Sequence, residues 1–185
     1  MSTRVPPSAE LSTRRRILAA TFVVLARSGR KRLMLSEVAA EANVSRPTLY
    51  RYFPSKDELL AAFGLYEQDN FDAGIASAMA GLRGPERLDA ALQFVVDFQY
   101  TYSLGFLADT EPEHVLTQMK RVMPVLHERI KRLIPGDDSE LAAATVVRVA
   151  VCHYLVGGTD REQFLAELRY AAGLDRRTLR SATAS

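Results

Sequence analysis

The stretch Leu35-Ser36-Glu37-Val38-Ala39-Ala40-Glu41-Ala42-Asn43-Val44-Ser45-Arg46-Pro47-Thr48-Leu49-Tyr50-Arg51-Tyr52-Phe53 decides the fold. Leu35, Val38, Ala39 and Ala42 recur at i, i+3, i+4 and i+7, the spacing of one face of a helix. Asn43 tolerates the left-handed backbone that ends a helix, and Ser45 is a favoured N-cap for a second one. Pro47 falls in the first turn of that second helix, where a missing N–H costs little. Leu49 and Phe53, one turn apart, form its buried side. Two short helices joined by a tight turn, the second flanked by basic residues, predict a helix-turn-helix whose second helix fits the major groove of B-DNA.

The residue types on that second helix suit the task. Arg46 stands near its N-terminus, where a guanidinium can donate twice to guanine O6 and N7. The Thr48 methyl can meet a thymine methyl, and its hydroxyl a base edge or a phosphate. Tyr50 and Tyr52 offer phenolic donors to phosphates, and Arg51 adds positive charge. Lys56 lies in the first turn of the next helix, where an ammonium and a helix N-terminus together favour a phosphate.

Working outward, helical spacing recurs and no period-two alternation or internal repeat is evident. The first helix is expected from about Thr13 to Ser28, with Ser12 as N-cap and Gly29 at its left-handed end. Ser55-Lys56-Asp57-Glu58 reads as a capping box that opens a long fourth helix reaching Ala80 or Gly81. Gly84-Pro85 opens a fifth that should run to about Ala108. Pro112 and Pro124 divide residues 111–134 into two shorter helices, Ser139 to Gly157 forms an eighth, and Thr159 with Glu162 caps a ninth ending near Gly173. The expected class is all-α with about nine helices. Residues 1–11 and 175–185 read as mobile tails around a DNA-binding domain at 12–55 and a second helical domain at 56–174.

Charge follows the same division. The formal net charge of the whole chain is only +2, but residues 1–60 hold eleven Lys and Arg against five Asp and Glu. Residues 61–185 hold thirteen against seventeen. A basic module joined to an acidic body suits a polyanion-binding head on a domain with another task. The basic run Arg14 to Arg16 reads equally as a DNA contact and as a solvated helix face.

The sequence resembles the tetracycline-repressor (TetR) family of one-component bacterial transcriptional regulators. The resemblance is carried by Leu35-Ser36-Glu37-Val38-Ala39, Ala42-Asn43-Val44-Ser45, Thr48-Leu49-Tyr50-Arg51-Tyr52-Phe53 and Ser55-Lys56-Asp57-Glu58-Leu59-Leu60, within a match from Arg14 to Phe63. Met34 stands where the family has a Thr or Ser that caps helix two, and Asn43 where it has Gly. Carried over position by position, the resemblance makes Arg46, Pro47, Thr48, Tyr50, Arg51, Tyr52 and Lys56 the DNA-contacting residues. It implies a homodimer that binds a roughly palindromic double-stranded operator and leaves it when a small molecule occupies the C-terminal domain.

Residues 61–185 contain eleven Phe and Tyr, enough to line a mostly apolar cavity. Tyr66, Phe71, Phe94, Phe98, Gln99, Tyr102, Met119, Met123, His127 and His153 are the expected ligand-binding residues. They suit an apolar or amphipathic effector, although the stripe Phe94, Phe98, Tyr102, Phe106 reads equally as core. The helix after Ser139 is apolar on more than one side, which predicts packing on its own core and on a second copy. Val147, Val151 and Tyr154, with Phe164 and Leu168 on the following helix, are the expected dimer contacts.

The exclusions complete the reading. Cys152 is the only cysteine, and His114, His127 and His153 are too scattered for a paired-ligand set, so neither metal nor cofactor is expected. Arg14-Arg15-Arg16 before Ile17 to Ala26 imitates a secretory signal, but the apolar stretch has helical spacing and runs into Arg27, Arg30, Lys31 and Arg32. No run is read as approaching the ~18 apolar residues of a membrane span, and a cytoplasmic protein is expected. There is no GxSxG, glycine-rich phosphate loop or HExxH, so no enzymatic activity is expected. The alternatives are a helical enzyme or small-molecule-binding protein with an incidental helix-turn-helix, and a DNA-binding protein indifferent to ligands.

Overall fold

The computed structural model describes residues 7–101, 111–157 and 160–174, with side chains from Ser12 onward. Every regular element among the described residues is an α-helix. In chain order these are α1 (Pro7–Arg32), α2 (Leu35–Glu41), α3 (Arg46–Tyr52), α4 (Lys56–Ala78), α5 (Gly84–Thr101), α6 (Pro112–Lys131), α7 (Ser139–Val156) and α8 (Arg161–Ala171). The chain forms two compact units, Met1–Asn70 and Phe71–Ser185, and the division falls inside α4. Tyr102, Phe106, Thr159 and both outer tail segments, 1–6 and 175–185, lie outside the described residues.

In the first unit α1 buries Ile17, Leu18, Ala20, Val24 and Leu25. Thr21 is buried on the same helix, and its hydroxyl donates to the Ile17 carbonyl at 2.8 Å, so no polar atom of that side chain is stranded. The helix starts earlier than the sequence suggests. Pro7 opens it, a position where the absent N–H is no loss, and Ser12 therefore lies inside α1 instead of capping it. Gly29 has φ 70° and ψ 168°, breaking the helical path as its position predicts. The first turns of α4 bury Leu59 and Phe63 and belong to this unit.

The second unit has one core. Leu88, Leu92 and Val96 of α5 join Ala143, Val146, Val147 and Ala150 of α7, Phe164, Leu165 and Leu168 of α8, and Ile130 of α6. Phe164 and Leu168 are fully buried, each contributing roughly 1.5–3 kcal/mol relative to an exposed position. Ion pairs hold the helices from outside: Arg169 grips Asp89 at 2.6 and 2.8 Å, Arg161 reaches Asp97, and Arg129 of α6 pairs with Asp72 in the second half of α4.

Three expectations are corrected here. Residues 112–131 form one helix, with Pro124 inside it, and not two. Val115, Met123, Leu126 and Ile130 continue one packed stripe through the exposed proline, and that burial outweighs the lost hydrogen bond. Asp160, not Thr159, caps α8: its carboxylate accepts the Gln163 N–H at 2.8 Å. Finally, α7 is long and apolar enough to cross a membrane, with 18 residues of mean hydropathy 1.4. It packs on α6 and α8 through Ala143, Val146, Val147 and Ala150, as a core helix does.

Candidate nucleic-acid interface

The helix-turn-helix forms as its local signals dictate. Met34 occupies the N-cap position of α2 with extended backbone and no side-chain cap, leaving that helix start without the hydroxyl that Thr or Ser would supply. Ala42 ends α2, and Asn43 takes φ 52°, the only positive φ at a non-glycine among the described residues. Ser45 then caps α3, its Oγ accepting the Thr48 N–H at 3.2 Å and lying 2.7 Å from the Thr48 hydroxyl. Val38, Ala39, Leu49 and Phe53 are buried, so α2 and α3 share one core face.

That packing decides what α3 shows to solvent. Arg46, Pro47, Tyr50 and Arg51, at i, i+1, i+4 and i+5, are all exposed, with Tyr50 at 49%. Thr48 and Tyr52 sit half-buried at the flank, and the Arg51 guanidinium lies 5.3 Å from the Tyr52 ring centroid. The Thr48 hydroxyl is already engaged with Ser45, so its methyl is the freer group for a base. Lys56 is half-buried and its ammonium donates to the Lys31 carbonyl at 2.9 Å. The expected capping box is half formed: the Glu58 N–H donates to Ser55 Oγ at 3.1 Å, whereas the Glu58 carboxylate accepts from the Ser55 hydroxyl at 3.2 Å.

Several basic residues counted toward a polyanion footprint serve the domain itself. Arg16 donates to the carbonyls of Ala42 and Asn43 at 2.8 and 2.9 Å. Arg27 pairs with Glu41 at 3.2 Å, and Arg14 lies over the Phe53 ring at 5.5 Å. These contacts span more than ten residues of sequence and leave no local pattern by which to foresee them.

The expected ligand residues fall into separate groups. Phe71, Phe94 and Phe98 form an aromatic cluster with ring centroids 5.0–5.8 Å apart. Gly74 permits it, because a Cβ there would come within 2.5 Å of the Phe94 ring. Gln99 and His153 meet in a second group: Gln99 Nε2 donates to the Ala150 carbonyl at 3.1 Å, its Oε1 lies 3.3 Å from His153 Nδ1, and the imidazole stacks on Phe164 at 3.8 Å. Met119 and Met123 are half-buried on α6, Met123 against the core. His127 lies instead beside Glu140, 3.3 Å from its carboxylate, where Lys131 also pairs at 2.7 Å. That pairing holds the exposed Glu140 carboxyl below its ordinary value. Tyr66 is half-buried on the part of α4 that belongs to the first unit.

Of the expected dimer residues, Val147, Phe164 and Leu168 are buried within the chain itself, and Val151 packs against the same core. Tyr154 is half-buried. The outer side of α7 carries Leu141, Arg148, Cys152 and Val156, with Leu141 at 70% and Val156 at 79% exposure. Tyr170 on α8 is 89% exposed.

Residues 17–63 match the family of bacterial regulatory proteins named tetR. The chain is 38% identical over 119 residues to the HTH-type transcriptional repressor LfrR of Mycolicibacterium smegmatis, a match covering 60% of each chain. It is 32% identical over 145 residues to the HTH-type transcriptional activator FasR of the same species, covering 75% of this chain and 65% of the relative. The chain thus spans less than two thirds of these curated relatives. A TetR-like transcriptional regulator from Rhodococcus sp. RHA1 shares the fold, with a TM-score of 0.65 and 24% identity over 92% of this chain and 97% of that one.

Proposed function

We propose that this chain, a member of the tetR family of bacterial regulatory proteins by its residues 17–63, is a DNA-binding transcriptional repressor released by a small molecule. The observation that carries the reading is the exposed face of α3. Arg46, Pro47, Tyr50 and Arg51 face solvent on a helix whose opposite side is locked down by Leu49 and Phe53. A rigid helix offering a guanidinium near its N-terminus matches the acceptor pair O6 and N7 that guanine shows in the major groove. The seven positions Arg46, Pro47, Thr48, Tyr50, Arg51, Tyr52 and Lys56 are the proposed DNA contacts.

A second copy completes the reader. Two recognition helices spaced by one turn of DNA, ~34–36 Å, read a roughly palindromic site. The exposed apolar Leu141 and Val156 on the outer side of α7, which also carries Arg148, with Tyr170 of α8 support a homodimer built there. The aromatic cluster Phe71, Phe94 and Phe98 supports an apolar or amphipathic effector in the second unit. Because α4 carries Lys56 at one end and Phe71 beyond its middle, a ligand that displaces its second half acts on the DNA-binding unit through the chain itself. Inverting a 1:99 equilibrium takes a preference of ~5.5 kcal/mol, which an apolar ligand supplies by burying surface. Such a regulator works in the cytoplasm.

The identity to FasR, an activator, favours a second reading in which the same DNA binding raises transcription. Capture of genomic DNA fragments by the purified protein, followed by footprinting and transcription from the captured promoter, tests both. Enrichment of one palindrome with transcription lowered by the protein supports repression, and transcription raised supports activation. Recovery of fragments in genomic proportion contradicts the DNA-reading role altogether.

A further inference from the structure

We propose that Arg16 is a positioning residue for the recognition helix, acting on DNA choice through the turn between α2 and α3. The inference rests on the DNA-binding reading above. The guanidinium extends from α1 and one nitrogen, Nη2, donates to both Ala42 O at 2.8 Å and Asn43 O at 2.9 Å. Those carbonyls lie at the C-terminal end of α2, where backbone oxygens have no intrahelical partner and the helix end carries partial negative charge. The left-handed Asn43, φ 52°, stands where the chain reverses, and the two successive carbonyls converge on one cation. A charge-assisted pair of hydrogen bonds is stronger and more directional than a neutral one.

The consequence is geometric. The turn at Asn43 leads through Val44 directly into Ser45, the N-cap of α3, and Arg46 follows as its first residue. Fixing the two carbonyls fixes the plane of the turn and so the direction in which α3 leaves it. The Arg27–Glu41 pair at 3.2 Å is a second tie between α1 and α2, but it lies before the turn, whereas Arg16 holds the turn itself, beside the buried Leu49 and Phe53 that seat α3. Arg16 spends both Nη2 N–H groups on backbone inside the domain, and in this proposal its effect on DNA is on choice of sequence and not on the count of neutralised phosphates.

The test uses the full chain as wild type, Arg16→Met and Arg16→Lys. Each is titrated across a salt series against the duplex that the wild type enriches from a random pool and against the unselected pool, where circular dichroism shows it folded. Arg16→Met should bind the enriched duplex about tenfold more weakly and the pool as before, with the salt slope unchanged. Arg16→Lys, whose ammonium still donates to a carbonyl, should recover part of the ratio. If Arg16→Met does not fold, the ratio for Arg16→Lys decides by the same measure. Equal losses on both duplexes with a slope shallower by ~1 per subunit would make Arg16 a phosphate contact and overturn the proposal. An unchanged ratio beside a lowered melting temperature would overturn it in favour of packing alone. Failure of the wild type to enrich any duplex would sink the DNA-binding reading first, and this proposal with it.

Discussion

The Lys56 ammonium donates a 2.9 Å hydrogen bond to the backbone carbonyl of Lys31, joining the first turn of α4 to the end of α1. The bond places the cation at a carbonyl-rich helix end, where positive charge is favoured, and beside the N-terminus of α4. The same side chain is a proposed phosphate contact. Lys56→Ala should therefore act twice. Stability should fall by about 0.5–1.5 kcal/mol through the lost bond. Binding to every DNA sequence should weaken alike, with the salt slope reduced by ~1 per subunit. Melting curves and salt-dependent anisotropy check the two effects separately, and an unchanged slope would leave Lys56 a purely structural residue.

Gly74 is tied to the aromatic cluster by space. A Cβ at this position would come within 2.5 Å of the Phe94 ring, so Gly74→Ala should force Phe94 from its place among Phe71 and Phe98. The expected cost is ~1–3 kcal/mol, against the small gain that alanine normally brings inside a helix. Chemical denaturation measures it. A variant as stable as the wild type would mean that the cluster shifts freely.

Glu67 on α4 carries the clearest pH signature. Burial pushes its carboxyl above the ordinary value, partly offset by a hydrogen bond with Asn70. The folded state thus holds the proton more tightly than the unfolded state, and stability falls as pH rises from the unfolded value through the folded one. Glu67→Gln removes that penalty. The variant should gain melting temperature over the wild type at neutral pH and lose the advantage near pH ~4, where the wild-type carboxyl is protonated. The same difference at both pH values would contradict this account.

The outer side of α7 should hold two copies together. Val156→Arg places a charge on an apolar position that is 79% exposed in the single chain, so it should leave the fold intact and yield monomers on sedimentation. Val151→Arg is less informative, because Val151 also packs against the core of its own chain. A Val156→Arg protein that sediments as the wild type would move the contact elsewhere.

Legibility in the sequence followed the range of the interactions. The left-handed turn at Asn43, the Ser45 cap and the breaks at Gly29 and Gly157 are decided within a few residues, and each forms as its residue type predicts. Pro124 misled, because the packing of Val115, Met123, Leu126 and Ile130 along α6 overrides one missing N–H. Arg16 and Lys56 could be read as cations near DNA but not as donors to Asn43 and Lys31, partners 27 and 25 residues away. On α7 the apolar residues exceed one face, so the pattern announces two packing partners without saying which side meets which. Val147 and Phe164 turn inward, whereas Val156 does not.

The central claim, that the exposed face of α3 reads DNA, is tested most directly at Arg46. The affinity of wild type and Arg46→Ala is measured for the duplex that the wild type selects and for the random pool, at one fixed salt concentration. Loss of a base-reading guanidinium should weaken the selected duplex by ~1–3 kcal/mol and leave the pool nearly unchanged. An unchanged ratio of selected to random affinity would contradict the claim.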